Sequence, residues 1–153
     1  MKKFDWKTLI ILVLLLILAS ITIYGNGDEC SNCLIVPEAG NGSFADVNAN
    51  SALIMIQKRM EDPDFVLLDI RTPNEFTSGH IEGAINLNYY DENFRDNLDK
   101  LDKKKTYLIY CRTANRTGKT MPIMQDLGFD EVYNMASGIT EWKDKGFAIT
   151  ETE

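Results

Sequence analysis

Residues 106–127, TYLIYCRTANRTGKTMPIMQDL, contain the pattern that decides the fold. The stretch opens with an apolar run, residues 107–110, which is typical of a buried strand. Cys111 follows the run directly, and a short polar loop comes next. Beyond the loop, apolar residues recur at helical spacing until Gly128: Met121, Ile123, Met124 and Leu127. The pattern predicts a strand, a loop and a helix, with a thiol at the edge where open α/β sheets bind ligands.

The predicted position of Cys111 favours its ionised form. The start of a helix offers free backbone N–H groups and a positive dipole end, both of which attract an anion. Successive loop N–H groups can add donors, and Arg112 and Arg116 add two positive charges. These features lower the pKa of a nearby thiol and favour the nucleophilic thiolate. An ordinary buried thiol is the alternative, but the strand end and the two arginines favour a reactive cysteine.

Strands and helices alternate along the rest of the chain. Short apolar runs predict five strands, at residues 45–47, 65–68, 84–87, 107–110 and 131–134. Besides the helix after Cys111, four helices are predicted: one capped by Asn50 or Ser51 with the apolar face Leu53, Ile54, Ile56 and Met60, a short one starting at 72–75, one at 91–101 and one at 137–145. This alternation predicts an α/β domain with an open, mainly parallel five-stranded sheet and helices on both faces.

Three separate stretches resemble the motifs of one known family. Cys111–Thr117 is similar to the active-site loop of rhodanese-type sulfurtransferases, in which an arginine follows the cysteine five positions later. An upstream stretch, LLDIRTPNEFTSGHIEGAIN at 67–86, resembles the family's Asp-x-Arg strand end followed by Gly-His-Ile-x-Gly-Ala. A third, SGITEWKDKGF at 137–147, resembles the family's Gly-Gly…Trp…Gly signature, with Ser137 in place of the first glycine. The resemblance covers residues 44–149.

The resemblance implies a rhodanese-like fold and a sulfurtransferase activity that needs no cofactor. The expected reaction moves a sulfane sulfur from a small anionic donor, thiosulfate or a persulfide, onto Cys111. A thiol acceptor, either a small molecule or a protein, or cyanide would then remove it. Arg116 matches the family's loop arginine, and together with Arg112 it would hold the donor's anionic group. The other expected substrate-binding residues are Thr113, Ala114, Asn115 and Thr117.

Four other motif residues have both a functional and a structural interpretation. Asp69 and Arg71 follow a predicted strand and could shape the rim of the site, or they could form a structural ion pair. His80 could serve as a base for Cys111, but a thiolate held by loop amides needs none, so we expect a structural hydrogen bond. Trp142 is expected in the core because of its size.

Two other function classes remain as alternatives. Cysteine-dependent phosphatases also place a cysteine and an arginine on a loop before a helix, separated by five residues. Here four residues separate Cys111 from Arg116, and this shorter loop is expected to suit one sulfur atom better than a phosphate. A non-catalytic binding module is the second alternative, although this chain retains the cysteine.

The first 25 residues have the layout of a signal peptide or a membrane anchor. Lysines at positions 2, 3 and 7 precede an uncharged, largely apolar segment at 8–24, which is about as short as a spanning helix can be. No small-residue cleavage site is evident, and this favours a retained anchor. Lysines before the apolar segment predict a domain outside the cytoplasm. We therefore expect an extracytoplasmic protein, either membrane-anchored or secreted.

Residues 26–43 are predicted to be a linker that carries Cys30 and Cys33, and the folded domain is predicted at 44–150. The C-x-x-C pair could be a redox dithiol, half of a metal site or a local disulfide, and a further hypothesis is that it exchanges sulfur or electrons with Cys111. The chain has no second C-x-x-C and only one histidine, so no metal site is expected. Outside the cytoplasm a disulfide is the default.

The charge of the chain excludes one class of partner. The net charge is −7, and it becomes −9 without the three lysines and one aspartate of residues 1–25. An acidic domain has no electrostatic reason to bind nucleic acid. The basic loop after Cys111 is therefore expected to serve a small anion.

Overall fold

A computed structural model describes residues 43–151. Within these residues the chain forms five parallel strands in the order β1-β5-β4-β2-β3. Their bounds are Ser43–Val47 (β1), Phe65–Asp69 (β2), Ile85–Asn86 (β3), Thr106–Tyr110 (β4) and Glu131–Met135 (β5). The helices of the described chain are Ala49–Arg59 (α1), Pro73–Thr77 (α2), Phe94–Asp99 (α3), Asn115–Asp126 (α4) and Gly138–Asp144 (α5). The predicted α/β class with a five-stranded parallel sheet is confirmed.

Strand β4 lies in the middle of the sheet, and every residue of it is buried. Successive side chains of a strand point to opposite faces of the sheet. Leu108 and Tyr110 therefore join the core that α1 and α5 cover, whereas Tyr107, Ile109 and Cys111 join the core that α3 and α4 cover. A strand with two buried faces reads as a continuous apolar run, which is why β4 was recognisable in the sequence.

Helix α1 begins earlier than predicted, and its buried face matches the predicted one only in part. Its N-cap is Asn48, whose side-chain oxygen accepts the N–H of Ser51 at 2.9 Å. Met60, predicted to be on the apolar face, is 41% exposed. The buried face instead contains two alanines, together with Ser51 and two larger residues: Ala49, Ala52, Met55 and Ile56. Ile56 is buried as predicted and Leu53 packs against the core, whereas the prediction for Met60 was wrong, because small alanines take the remaining buried positions at the same helical spacing.

Helix α3 is shorter than the predicted segment at 91–101. The residues before it form turns, in which the side chain of Asp91 accepts the N–H of Asn93 at 2.8 Å. Such local side-chain bonds compete with helix formation. The apolar residues were nevertheless assigned correctly, because Phe94 and Leu98 are buried and Leu101 packs against them.

Several predictions concern residues outside the described part of the chain. The signal peptide or anchor at 1–25, most of the linker at 26–43, and Cys30 and Cys33 all lie there. Within residues 43–151, every helix is too short or too polar to cross a bilayer.

Candidate active site

Cys111 is the first residue after β4, at the carboxyl edge of the sheet, and only 1% of its surface is exposed. The backbone N–H groups of Thr117, Thr113 and Arg116 face its sulfur. The Thr117 hydroxyl lies 3.8 Å from the sulfur. Burial raises the pKa of the Cys111 thiol, but these donors outweigh burial and the net pKa is lowered. The sulfur therefore lies in a cradle of N–H groups that stabilises an anion.

The loop that forms this cradle contains a strained residue. Ala114 has a φ of +64°, which costs a residue with a β-carbon about 1 kcal/mol. The Thr117 hydroxyl lies 3.2 Å from the Ala114 carbonyl oxygen and 3.8 Å from the sulfur, so its one proton can be donated to either of them. Directly after the turn, α4 begins at Asn115, so its first N–H groups lie beside the sulfur. Thr113 and Asn115 have exposed side chains, and Thr113 contributes to the cradle through its backbone.

The start of α5 holds the carbonyl groups of the same loop. The Ile139 N–H donates to the Cys111 oxygen at 2.8 Å, and the Thr140 N–H and hydroxyl donate to the Arg112 oxygen at 3.2 and 2.8 Å. Gly138 makes this approach possible, since a β-carbon on it would lie 2.4 Å from the Arg112 oxygen. The loop carbonyls are thereby bound to α5, which leaves the loop N–H groups for the sulfur.

The binding of the loop carbonyl groups by α5 was not predicted from the sequence, although the SGITEW stretch was the available signal. The stretch was recognised only as part of a resemblance. Ser137, which replaces a glycine of the family signature, has a φ of −108°. Any residue adopts that angle, so the serine does not disturb the turn.

Arg116 is held in an ion pair with a residue that was not predicted in the site. Its guanidinium donates to both carboxylate oxygens of Glu75, at 2.7 and 2.8 Å. It also lies over the ring of Tyr90, 5.7 Å from the centroid. The bond from Arg116 lowers the pKa of Glu75 to about 2, against a smaller effect of burial. The carboxylate raises the pKa of Arg116, and the Cys111 sulfur adds a further electrostatic contribution in the same direction.

The position of Glu75 follows from local capping. Thr72 caps α2, its hydroxyl accepts the Glu75 N–H at 3.3 Å, and the Glu75 side chain accepts the Thr72 N–H at 3.1 Å. This capping box fixes the carboxylate at the start of the helix, facing Arg116. The TPNE sequence was the available signal, but it indicated only a helix start.

An open pocket of about 530 Å³ lies beside the loop. Arg112, which is exposed, is the loop residue that lines it. The remaining walls come from the end of β2, from α2 and from α5: Arg71, Asn74, Glu75, Ser78, Ile139, Thr140, Lys143 and Asp144. The structure thus brings the predicted Arg112 and Arg71 together at one pocket next to Cys111.

Asp69 and Arg71 form a buried ion pair with each other at 2.6 Å. Asp69 is fully buried and Arg71 is 4% exposed. Arg71 also donates to the Gly79 carbonyl oxygen at 2.9 Å, and Asn86 donates to the backbone oxygens of both residues at 2.9 Å. The pair therefore connects the end of β2 to the segment that follows α2, in agreement with the structural interpretation. Arg71 also lines the pocket.

His80 and Trp142 both make structural contacts. The His80 ring stacks on Phe76 at 3.8 Å, and its Nδ1 lies 3.0 Å from the Phe76 carbonyl oxygen. Because a carbonyl oxygen only accepts, Nδ1 carries the proton. Trp142 is 2% exposed and donates its indole N–H to the Ala148 carbonyl oxygen at 2.9 Å. Its predicted place in the core is confirmed.

Comparison with known proteins identifies the family. The family model described as "Rhodanese-like domain" matches residues 55–145, more than half of the chain. The chain belongs to the rhodanese-like family. This match includes the Asp69–Arg71 pair, the Cys111 loop and α5. The stretch that resembled rhodanese-type sulfurtransferases in sequence is thus the region that the family describes.

Two curated relatives align with different lengths of this chain. "Uncharacterized protein YqhL" of Bacillus subtilis is 38% identical over 79 residues, 52% of this chain and 61% of that protein. "Thiosulfate sulfurtransferase GlpE" of Shewanella oneidensis is 28% identical over 102 residues, 67% of this chain and 95% of that protein. This chain therefore spans less than two thirds of the first protein but nearly the whole length of the second.

A solved rhodanese structure supports the fold. A rhodanese-related protein from Thermoplasma volcanium aligns with a TM-score of 0.58 at 23% identity, covering 71% of this chain and 99% of that one. At this identity the likeness concerns the fold alone. Within residues 43–151, no three His, Cys, Asp or Glu side chains cluster as a metal site would require.

Proposed function

We propose that this protein is a sulfurtransferase that carries a sulfane sulfur as a persulfide on Cys111. The observation that carries the proposal is the cradle around the Cys111 sulfur, in which loop N–H groups and the Thr117 hydroxyl, 3.8 Å away, outweigh burial and lower the pKa of the thiol. Backbone donors aimed at a sulfur stabilise negative charge both on the thiolate and on the terminal sulfur of a persulfide. The rhodanese-like family and a relative named thiosulfate sulfurtransferase support the same reaction class.

In the first half-reaction the Cys111 thiolate attacks the outer sulfur of the donor. With thiosulfate, a bond forms between the cysteine sulfur and the sulfane sulfur, and the bond between the two donor sulfurs breaks. The electron pair of the broken bond leaves with sulfite. The product is a Cys111 persulfide anion, and the total charge of −3 is the same before and after, as the charges of the thiolate and thiosulfate require. No external oxidant or reductant takes part.

In the second half-reaction a thiolate or cyanide attacks the terminal sulfur of the Cys111 persulfide. A bond forms between the acceptor and that sulfur, the persulfide bond breaks, and its electron pair returns to Cys111 as thiolate. Because the donor's product leaves before the acceptor reacts, the kinetics are expected to be ping-pong. Arg112, exposed beside the cradle, is the loop arginine free to meet an incoming anion, whereas Arg116 is paired with Glu75.

Mass spectrometry of the full chain after treatment with thiosulfate tests the proposal. One added sulfur is expected on the peptide that contains Cys111, and none is expected on that peptide in Cys111→Ser. Mapping to peptides is necessary because Cys30 and Cys33 also bear sulfur. If neither thiosulfate nor a persulfide adds sulfur to Cys111, the proposal is wrong. Hydrolysis of an aryl phosphate that depends on Cys111 would support the phosphatase alternative instead.

We also propose that residues 8–24 anchor the domain at 44–150 to a membrane, outside the cytoplasm, and that Cys30 and Cys33 form a disulfide in the linker. Lysines before an uncharged apolar segment support this orientation, and an oxidising compartment favours the disulfide. Protease added to intact cells should then digest the domain while the anchor stays in the membrane fraction. A domain protected until the cells are lysed would contradict this.

A further inference from the structure

The pocket beside Cys111 is larger than an inorganic sulfur donor requires. Its volume is about 530 Å³, within the range of roughly 300–1,000 Å³ that is typical of pockets for organic ligands. It lies directly beside the cradle, because Arg112, one residue after the nucleophile, forms part of its wall. Another wall residue, Glu75, is bound to Arg116, whose charge interacts with the Cys111 sulfur. The pocket is therefore large enough for an organic molecule and adjoins the loop that follows Cys111.

The unpaired charges of the pocket are mainly positive. Two of its charged residues already have partners, since Arg71 pairs with Asp69 and Glu75 pairs with Arg116. Among residues 43–151, three charged residues of the pocket form no salt bridge: Arg112, Lys143 and Asp144. The unpaired charged groups of the pocket are thus two cations and one carboxylate, in a chain whose net charge is −7. A local excess of positive charge on an acidic protein favours an anionic ligand.

Lys143 lines the pocket, and its ammonium group lies close to Gly79. Its Nζ lies 3.6 Å from the point that a β-carbon on Gly79 would occupy, and Arg71 donates to the carbonyl oxygen of the same glycine. Lys143 lines the pocket from α5, and Arg112 lines it from the Cys111 loop. Two cations on separate elements, the Cys111 loop and α5, can hold a carboxylate that is several bonds away from a reacting sulfur.

We propose that this pocket is the acceptor site and that Arg112 and Lys143 make it selective for low-molecular-weight organic thiols that carry a carboxylate. The proposal rests on the proposed sulfurtransferase function and names the substrate class of its second half-reaction. The acceptor thiolate attacks the terminal sulfur of the Cys111 persulfide and becomes an organic persulfide anion. The electron pair of the broken bond stays on Cys111, and the total charge of −3, which includes the acceptor's carboxylate, is unchanged, as it must be when one anion displaces another.

N-acetylcysteine and its amide test this selectivity, since they differ in one carboxylate and have nearly the same volume. The full chain is loaded with thiosulfate, the donor is removed, and each thiol is added in a range of concentrations. The loss of sulfur from the Cys111 peptide gives a rate constant for each thiol. The ratio of the acid to the amide rate constant is compared between proteins, so that intrinsic differences between the two thiols cancel.

Lys143→Gln is expected to lower this ratio about tenfold, which corresponds to the loss of roughly 1.4 kcal/mol of charge-assisted binding. The loss should appear as a higher half-saturating concentration of N-acetylcysteine. Lys145→Gln is the matched control, because Lys145 is a neighbouring lysine that pairs with Glu141 and does not line the pocket. It should keep the wild-type ratio.

An unchanged ratio in Lys143→Gln, with normal persulfide formation, overturns the carboxylate selectivity and leaves the sulfurtransferase proposal standing. A protein that forms no Cys111 persulfide from any donor overturns the sulfurtransferase proposal, and the acceptor assignment is then wrong as well. A ratio that falls equally in Lys145→Gln also overturns the inference, because a general effect of surface charge would then explain it.

Discussion

Gly138→Ala is expected to damage the candidate active site although residue 138 lies outside the cysteine loop. A β-carbon at this position would lie 2.4 Å from the Arg112 oxygen and 2.6 Å from the Cys111 oxygen. Relaxed contacts between non-bonded heavy atoms need about 3.5 Å, so the loop must move by roughly 1 Å. The φ of +60° at Gly138 adds strain for any residue with a β-carbon.

The two effects have separate magnitudes. A left-handed φ costs alanine about 1 kcal/mol relative to glycine, and the backbone shift forced by overpacking costs about 1–3 kcal/mol more. The free energy of unfolding is therefore expected to fall by roughly 2–4 kcal/mol. A shift of about 1 Å in the cradle is expected to slow sulfur loading on the order of 100-fold. The pKa of Cys111 should rise, because its N–H donors move away.

Gly146→Ala provides the matched control. Gly146 has a φ of +71°, and no atom lies within 4 Å of the position that its β-carbon would take. This variant should lose about 1 kcal/mol from strain alone and load sulfur at the wild-type rate. Urea unfolding gives the stabilities, and the pH midpoint of Cys111 alkylation gives the thiol pKa. If the two glycine variants have the same stability and the same midpoint, the contact between α5 and the loop does not shape the cradle.

Three further substitutions test individual contacts. Thr117→Val removes the hydroxyl beside the sulfur, so the pH midpoint of Cys111 alkylation should rise, and an unchanged midpoint would contradict this. In the folded protein the pKa of Glu75 is lowered from 4.5 to about 2, so the ion pair adds stability that is present above pH 4.5 and is lost as the pH falls towards 2. Glu75→Gln should therefore lose less stability than the wild type as the pH falls from 4.5 towards 2, as measured by a circular dichroism titration. Equal losses in the wild type and the variant would refute this. Asp69→Asn leaves a buried arginine without its partner and should cost about 3–5 kcal/mol in urea unfolding, whereas a loss below about 1 kcal/mol would show that water replaces the carboxylate.

The parts of the fold that were predictable depend on local sequence. Strand β4 is buried on both faces, so its apolar run needed no knowledge of its neighbours. The helix after Cys111 followed from apolar spacing in the same way. The face of α1 was predicted only in part, because Ala49 and Ala52 pack closely without a large apolar side chain to mark them. Helix α3 was predicted too long because turn-forming side chains at its start replace helical bonds.

The candidate site was predictable only in part, because its support is non-local. Cys111 and its loop lie in one short segment, and the sequence indicated both. The carbonyl groups of that loop are bound by residues that follow Gly138, and Arg116 is bound by Glu75, 41 positions earlier in the chain. Partners so distant in sequence leave no spacing pattern. The positive φ of Ala114 also had no signal, since glycine or asparagine would be the usual mark of such a turn.

The arrangement of charges indicates that peptide dipoles contribute more than the arginines to stabilising the Cys111 anion. Arg116 shares its charge with Glu75 through two short hydrogen bonds, and the pair has no net charge. Arg112 is exposed, where water and salt weaken its effect on the sulfur. The N–H groups of Thr113 and Thr117, in contrast, face a sulfur that is almost fully buried, and an electrostatic interaction is strongest in such a setting. The free charge of Arg112 is therefore available for the substrate while the backbone holds the nucleophile.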